Sequence, residues 1–343
     1  MAQNRVNHLS LGLTLAVVAG FAVTFTIAQA QFKPIKPGLG KPEDKKSEKP
    51  EKPEKPAAPV AAGKEPGSLQ KLIENLHKIG PNPVDPEAPD IGLAEASRRA
   101  DVKKLGDQFV ADLVESFNDL HADLSGSGRP AVIGKFRLGP PIRPIEYRER
   151  LKKLFLSAKP EEYQWYRRRA LHVVVAELDE LLRNPPKPAN VTHHYYRTLF
   201  AGADSLVQLF NMLSQAEERK ICQPELYELL ANLVLVNLDG AFEQKENLDP
   251  FSRFVDRDYV ALVASVWNHA KQLALEYDRT GKSFAPITER ALKELTEKAK
   301  AIAAKGDAYR MAELGMIILA IDPKNKIGRE LVALAAQRGV RIR

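Results

Sequence analysis

The sequence of 343 residues contains one cysteine, Cys222. A single cysteine excludes an internal disulfide in any compartment, so a folded domain must rely on core packing, as suits a protein of a bacterial envelope. Because Cys222 adjoins helix-forming residues, we expect it to be a small buried hydrophobic residue rather than a reactive thiol. The content of 44% hydrophobic and 28% charged residues is ordinary for a globular protein and allows a sizeable core.

The sequence also lacks the short motifs of common enzyme and cofactor sites. It contains no P-loop, no G-x-S-x-G turn, no G-x-G-x-x-G dinucleotide fingerprint and no C-x-x-C-H haem attachment. The acidic residues of stretches such as 176–182 have the spacing of a solvated helix face. We therefore predict a non-enzymatic protein with no catalytic residue, no cofactor-binding residue and no cofactor. An active site assembled from separated helices stays open as an alternative.

The seven histidines do not form a recognisable metal motif. A helical zinc site requires two ligands three or four residues apart on one face, and no histidine pair has that spacing. His193 and His194 are adjacent, so in a helix they point about 100° apart. We expect them to begin a helix, one ring inward and one in solvent, and keep them only as remote candidate ligands. His121–Asp123 matches a fragment of an iron motif by chance. We predict no metal ligand.

Long hydrophobic runs are absent except at the N-terminus. An uncharged stretch, residues 9–28, follows Arg5 and leads into a small-x-small sequence at 28–30. This three-part pattern is typical of a secretory signal peptide, here cleaved after Ala30. About 20 apolar residues can also span a bilayer, so the alternative is an uncleaved anchor in the inner membrane. We predict that residues 1–30 are a signal peptide or anchor and that the protein is exported to the periplasm or the extracellular space.

Residues 31–67 are rich in Pro, Lys and Glu, with repeated Glu-Lys-Pro triplets and few apolar side chains. Proline at every third position prevents helix hydrogen bonding and strand pairing, so we predict a disordered linker, about 100 Å long if fully extended. The linker contributes to the net charge of +7, whereas residues 68–343 hold 41 basic and 38 acidic side chains. This near balance argues against a nucleic-acid partner.

Helical periodicity dominates residues 68–343. The predicted helices are 68–79, 92–124, 145–157, 160–183, 192–213, 224–239, 255–278, 286–305, 307–321 and 325–338. The glycine- and proline-rich residues 125–144 form a minor break, where a short strand pair is an alternative. We predict an all-α domain of irregular helical hairpins, packed as a short α-solenoid or a bundle.

Residues 292–325 resemble a degenerate tetratricopeptide hairpin. The residues that carry the resemblance are the Gly306-Asp307 turn, the Asp322-Pro323 stop, and Leu295, Ala299 and Ile302 on the first helix. The residues that depart from the pattern are Lys298, Met311 and Ile318. The resemblance covers about a tenth of the chain. It implies a stacked helical-hairpin surface that binds peptides or proteins, and it does not imply catalysis.

Basic and aromatic side chains alternate between residues 135 and 169. Arginine combined with aromatic rings can grip phosphates, carboxylates or sugar faces. The residues predicted for such a polyanion site are Arg143, Arg148, Arg150, Lys152, Lys153, Trp165, Arg167, Arg168 and Arg169. Outside the cytoplasm, the matching partner is an anionic lipid headgroup or a cell-wall polymer. The alternative is that the aromatic residues begin a core stripe while the cations pair with neighbouring glutamates.

Together these patterns predict a non-catalytic, exported helical scaffold or adaptor of the cell envelope that binds a protein or peptide partner. A flexible linker directly after an export signal is typical of a domain held away from a membrane or wall. Polyanion binding through residues 135–169 is the first alternative, and an enzyme is the second. We expect contact with a membrane core only through an uncleaved N-terminal segment.

Overall fold

The computed structural model describes residues 67–88, 91–127, 142–246 and 255–341, with the side chains of 239–246 outside the description. The predicted signal or anchor at 1–30 and, except for Gly67, the predicted linker at 31–67 lie outside the described residues. The same is true of most of the predicted break at 125–144 and of its alternative strand pair.

Within these ranges the chain forms ten α-helices and no strand, which confirms the predicted all-α class. The helices are α1 (Ser68–His77), α2 (Leu93–Ser125), α3 (Pro144–Ser157), α4 (Pro160–Arg183), α5 (His193–Leu213), α6 (Ala216–Glu246), α7 (Arg257–Tyr277), α8 (Ala285–Lys305), α9 (Ala308–Ile321) and α10 (Lys326–Gln337). Apart from α6, their ends lie within two residues of the predicted ends. None of these helices has both the length and the apolar character needed to cross a membrane.

Helix α6 is longer than predicted, because Pro224 lies inside it rather than at its start. A proline in a helix interior cannot donate a backbone hydrogen bond and costs about 3 kcal/mol or more. The neighbouring side chains Cys222 and Leu226 are fully buried, so core packing offsets that cost. Burial also raises the pKa of Cys222 to about 12, as expected of an inert core thiol.

Helix α5 forms the centre of the fold. Of its 21 residues, 14 are buried, and it packs against α2, α3, α4, α6 and α7. In a solenoid each hairpin contacts only its neighbours along the array. Here α1 packs on α4 and α6, and α2 packs on α4 and α5. Of the two predicted packings, the structure therefore corresponds to a bundle around a central helix.

Helices α2 and α4 lie side by side and approach closely at Gly106. A Cβ atom at this position would lie 2.4 Å from the ring of Tyr166, so the contact requires glycine. Further along the pair, His121 of α2 contacts Glu177 of α4. Since later residues of one helix contact later residues of the other, α2 and α4 run in the same direction, and a groove can follow them.

The C-terminal helices α8, α9 and α10 pack on one another. Gly306 ends α8 with a φ of 76°, in the left-handed region that favours glycine. The Asp307 side chain then accepts the backbone N–H groups of Tyr309 and Arg310 and caps α9. Residues 292–325 thus contain the turn between two packed helices, while their likeness to tetratricopeptide hairpins remains a prediction.

Candidate binding groove and surfaces

Arg167 is an internal residue rather than part of a surface site. Its side chain is 5% exposed, and its guanidinium donates to both Glu218 carboxylate oxygens at 2.7 and 2.9 Å. Burial by itself would raise the pKa of Glu218, but the bond and charge of Arg167, together with the Gln215 backbone N–H, outweigh it and the pKa is lowered. Contrary to the sequence prediction, Arg167 therefore does not face a surface polyanion. Its ion pair with Glu218 instead connects α4 to the start of α6.

The neighbouring arginines lie in two other environments. Arg168 is half-buried and donates to the backbone carbonyl of Asn75 at 3.3 Å. The Arg169 guanidinium lies 5.3 Å from the centre of the Trp165 ring and 3.5 Å from the Asp107 carboxylate. Three consecutive cations of the sequence thus face α6, α1 and α2, and they do not form one patch.

The remaining predicted cations lie on α3 or at its start. Arg143 pairs with Glu146 at 3.2 Å, and Arg150 pairs with Asp112. In the part of the chain that the structure describes, Arg148, Lys152 and Lys153 have no ion-pair partner and are exposed. The ion-pair alternative therefore holds for Arg143 and Arg150, while these other three cations face solvent.

Helix α3 also exposes large apolar side chains beside these cations. Ile145 and Leu156 are 70% and 74% exposed. With Arg148 and Lys152 they occupy positions three or four residues apart, which places them on one helix face. We call this face the α3 stripe, defined as Ile145, Arg148, Lys152 and Leu156. Its mixture of cations and exposed aliphatic side chains is typical of contacts with an anionic lipid surface.

A cleft of about 690 Å³ lies on the other side of α2. We call it the α2/α4 groove, and it is lined by Asn82, Lys103, Asp107, Val110, Ala111, Val114, Glu115, Asn118, Trp165 and Arg169. Only Trp165 and Arg169 were candidate residues from the sequence. The α2 residues of the lining recur at helical spacing, and the apolar Val114 among them is 41% exposed. An exposed valine indicates a groove only when the helix that forms the opposite wall is known, and the sequence does not show that this helix is α4.

The aromatic side chain of the groove is held rigidly. Trp165 donates its Nε1 hydrogen to the Gly80 carbonyl at 2.9 Å, and its ring meets that of the fully buried Tyr166 edge-on, with centroids 4.8 Å apart. The groove therefore presents a fixed apolar surface, which a ligand can contact without first ordering the side chain.

Charges of both signs surround this apolar surface. Asp107 lies between two cations, 3.0 Å from Lys103 and 3.5 Å from Arg169. Glu115 lies about two turns further along α2 and adds a second carboxylate to the lining. A groove with this distribution matches a ligand that itself carries both signs, and it does not match a uniform polyanion.

Three histidines pair with carboxylates from other helices. Nε2 of His121 lies 2.6 Å from Glu177, that of His193 lies 2.9 Å from Asp256, and that of His269 lies 3.0 Å from Asp204. Each contact joins two helical elements of the fold, and Asp256 is the residue that caps the start of α7. His193 is buried and His194 is exposed, so the paired histidines begin α5 as expected. The N-cap Thr192 makes no side-chain capping bond.

One cluster contains the residue types of a catalytic triad without its geometry. Ser265 Oγ donates to Asp204 Oδ1 at 2.5 Å, and His269 Nε2 contacts the same oxygen at 3.0 Å. In a triad the histidine accepts the serine proton, while the aspartate orients the histidine from its other nitrogen. Here the serine is bonded to the aspartate, so this arrangement does not activate a nucleophile. It joins α5 to α7.

Comparison of the chain with protein families, with curated proteins and with solved structures finds no match.

Proposed function

We propose that this chain is a non-catalytic helical adaptor of the cell envelope that binds a short segment of a partner protein in the α2/α4 groove. The observation that carries the proposal is the groove itself, which combines a fixed tryptophan with charges of both signs. Protein interfaces are similarly built from an aromatic or aliphatic anchor with a polar rim. The envelope location rests on the signal-like pattern of residues 1–30.

The length of the groove indicates the size of the bound segment. Its α2 wall extends from Lys103 to Asn118, which is about 22 Å at the helical rise of 1.5 Å per residue. An extended segment of about six or seven residues spans the same distance. We propose an extended peptide with one apolar anchor beside Trp165 and Val114, an acidic residue facing Lys103 or Arg169, and a basic residue facing Glu115.

The openness of the groove favours binding over catalysis. Enzyme sites commonly exclude water, since fixed dipoles and charges act more strongly in a dry cavity. The α2/α4 groove is an open cleft, and its carboxylate Asp107 is already paired with two cations. These features support a recognition surface.

Photo-crosslinking from inside the groove tests this proposal. A photoreactive amino acid at Val114 should form adducts with a discrete peptide segment of one partner in intact envelopes, identified by mass spectrometry. The matched control places it at Val236, which is 76% exposed on α6. Glu115→Lys, which reverses the charge that faces the basic residue of the peptide, should abolish the adduct from position 114. Equal labelling from both positions, or labelling that survives Glu115→Lys, would contradict the proposed groove.

The α3 stripe supports a second candidate function, attachment to an anionic membrane surface. Each cation near an anionic leaflet contributes about 1 kcal/mol, so Arg148→Gln/Lys152→Gln should weaken binding to anionic vesicles about 30-fold at low salt. The matched control is Lys293→Gln/Lys305→Gln on α8, whose side chains are also exposed. Unchanged cosedimentation of the α3 variant would remove this candidate.

An apolar substitution distinguishes lipid from a cell-wall polymer. Leu156→Gln keeps the charge of the α3 stripe and removes an aliphatic side chain that is 74% exposed. Burial of such a side chain in a bilayer interface contributes to lipid binding, whereas a soluble polyanion recognises the charges. Weaker binding to vesicles with unchanged binding to an anionic polymer would support the membrane, and the opposite result would support the polymer.

A further inference from the structure

The structure brings together three potential metal ligands that are far apart in the sequence. His121 lies near the end of α2, and Glu177 and Glu180 lie three residues apart on α4. One ligand atom of each lies within 4.8 Å of the other two, and His121 Nε2 is 2.6 Å from Glu177 Oε1. We infer that these three side chains form a binding site for a divalent transition metal of the Zn²⁺ class.

The distances fit such an ion after small side-chain movements. Zn–N and Zn–O bonds are about 2.0–2.2 Å long, so two ligands of a tetrahedral ion lie about 3.4 Å apart. The distance of 2.6 Å between His121 Nε2 and Glu177 Oε1 has to increase by less than about 1 Å. A pair of ligand atoms at the upper limit of 4.8 Å has to approach by about 1.4 Å. Glu180 is exposed, so its side chain can rotate toward the other two. Three protein ligands leave at least one coordination position open.

The surroundings of Glu177 favour a cation at this place. Its side chain is 10% exposed. Among the residues that the structure describes, no lysine or arginine forms an ion pair with either glutamate. A buried carboxylate beside a second carboxylate, with only an imidazole as partner, is stabilised by a divalent ion.

The donor atoms select the class of ion. One imidazole nitrogen and two carboxylate oxygens suit Zn²⁺ and neighbouring first-row metals, whereas Ca²⁺ and Mg²⁺ prefer all-oxygen sites. The site begins about one helical turn beyond Asn118, the last α2 residue of the groove lining. The inference rests on the three ligands alone and does not depend on peptide binding.

Isothermal titration of the full chain, stripped of metal with a chelator, tests the site. Zn²⁺ should bind with a stoichiometry of one, and Mg²⁺ and Ca²⁺ should not bind at the same concentrations. His121→Ala, Glu177→Gln and Glu180→Gln should each weaken Zn²⁺ binding at least tenfold. Because Glu180 is exposed, Glu180→Gln should keep the fold, which circular dichroism checks.

A second histidine pair provides the matched control. The rings of His77 and His172 lie 5.5 Å apart, without a place in the three-ligand cluster. His172→Ala should leave Zn²⁺ affinity unchanged. Co²⁺ bound in place of Zn²⁺ should give visible absorption bands that Glu180→Gln alters and His172→Ala does not. Absence of stoichiometric Zn²⁺ binding, binding that survives His121→Ala, or binding lost in His172→Ala would each overturn the inference.

Discussion

Arg167→Gln removes the cation of the internal ion pair between α4 and α6 and leaves a shorter, neutral side chain with two N–H donors in place of five. In the folded protein the Arg167 guanidinium holds both oxygens of Glu218 and is 5% exposed. Glutamine can satisfy one of these oxygens, and it leaves the carboxylate charge without compensation. We expect the folded state to be destabilised without any change of backbone geometry.

The size of the effect follows from how much of the Glu218 charge remains satisfied. Breaking a buried ion pair by removing one partner costs about 3–5 kcal/mol. Glu218 keeps the backbone N–H of Gln215 at 2.8 Å, and its side chain is 16% exposed. We therefore expect a loss near the lower end, about 3 kcal/mol. For a domain of this size, that corresponds to a decrease in Tm of about 6–12 °C.

Urea unfolding, followed by far-ultraviolet circular dichroism at pH 7, measures this loss. Arg168→Gln is the matched control, since Arg168 is half-buried and makes one 3.3 Å bond to a carbonyl. Its free energy of unfolding should change by less than about 0.5 kcal/mol. Equal destabilisation by both substitutions, or a loss below about 0.5 kcal/mol for Arg167→Gln, would refute the internal position of Arg167.

The pH dependence gives an independent check. The pKa of Glu218 is lowered in the folded state. Its pair therefore contributes stability above the unfolded pKa of about 4.3, and that contribution is lost as the pH falls through the lower folded pKa. The difference between the parent protein and Arg167→Gln should shrink below about pH 4. A difference that stays constant from pH 7 into this range would contradict the assigned cause.

Three further substitutions or reagents test the fold. Gly106→Ala should destabilise the protein by about 1–3 kcal/mol in thermal melts, because the new Cβ would lie 2.4 Å from Tyr166. Cys222, whose pKa is raised to about 12 by burial, should react with an aromatic disulfide reagent at pH 8 only after unfolding. Burial would raise the pKa of Asp256, but the bonds from His193 and the Tyr259 backbone N–H, together with the charge of Arg197, outweigh it and lower that pKa. The parent should therefore lose stability as the pH falls through the lowered pKa, and Asp256→Asn should reduce this acid-dependent loss.

Helical periodicity was sufficient to predict the class and most helix ends, because helices such as α2 and α10 bury one regular stripe. It failed at Pro224, where burial of Cys222 and Leu226 outweighs the local preference of proline for a helix start. The sequence around Arg167 also indicates its internal position, because Arg167 lies three and four residues before the buried Ala170 and Leu171 of α4.

The groove could not be predicted in the same way, because its walls are distant in the sequence. The alternation of basic and aromatic residues predicted Trp165 and Arg169 as binding residues. Val114 lines the groove only because α2 packs beside α4, and the sequence does not show this packing. The same applies to His121 and Glu177, which are 56 residues apart. Which helices pack side by side depends on how they are arranged around α5. A local sequence pattern does not determine which two helices become neighbours.

The most direct test of the proposed adaptor function is crosslinking from Val114 compared with crosslinking from Val236 in intact envelopes. The account predicts that position 114 labels a discrete extended segment of one partner, that position 236 does not, and that Glu115→Lys abolishes the label. Labelling of the same proteins with equal yield from both positions would contradict a specific groove between α2 and α4.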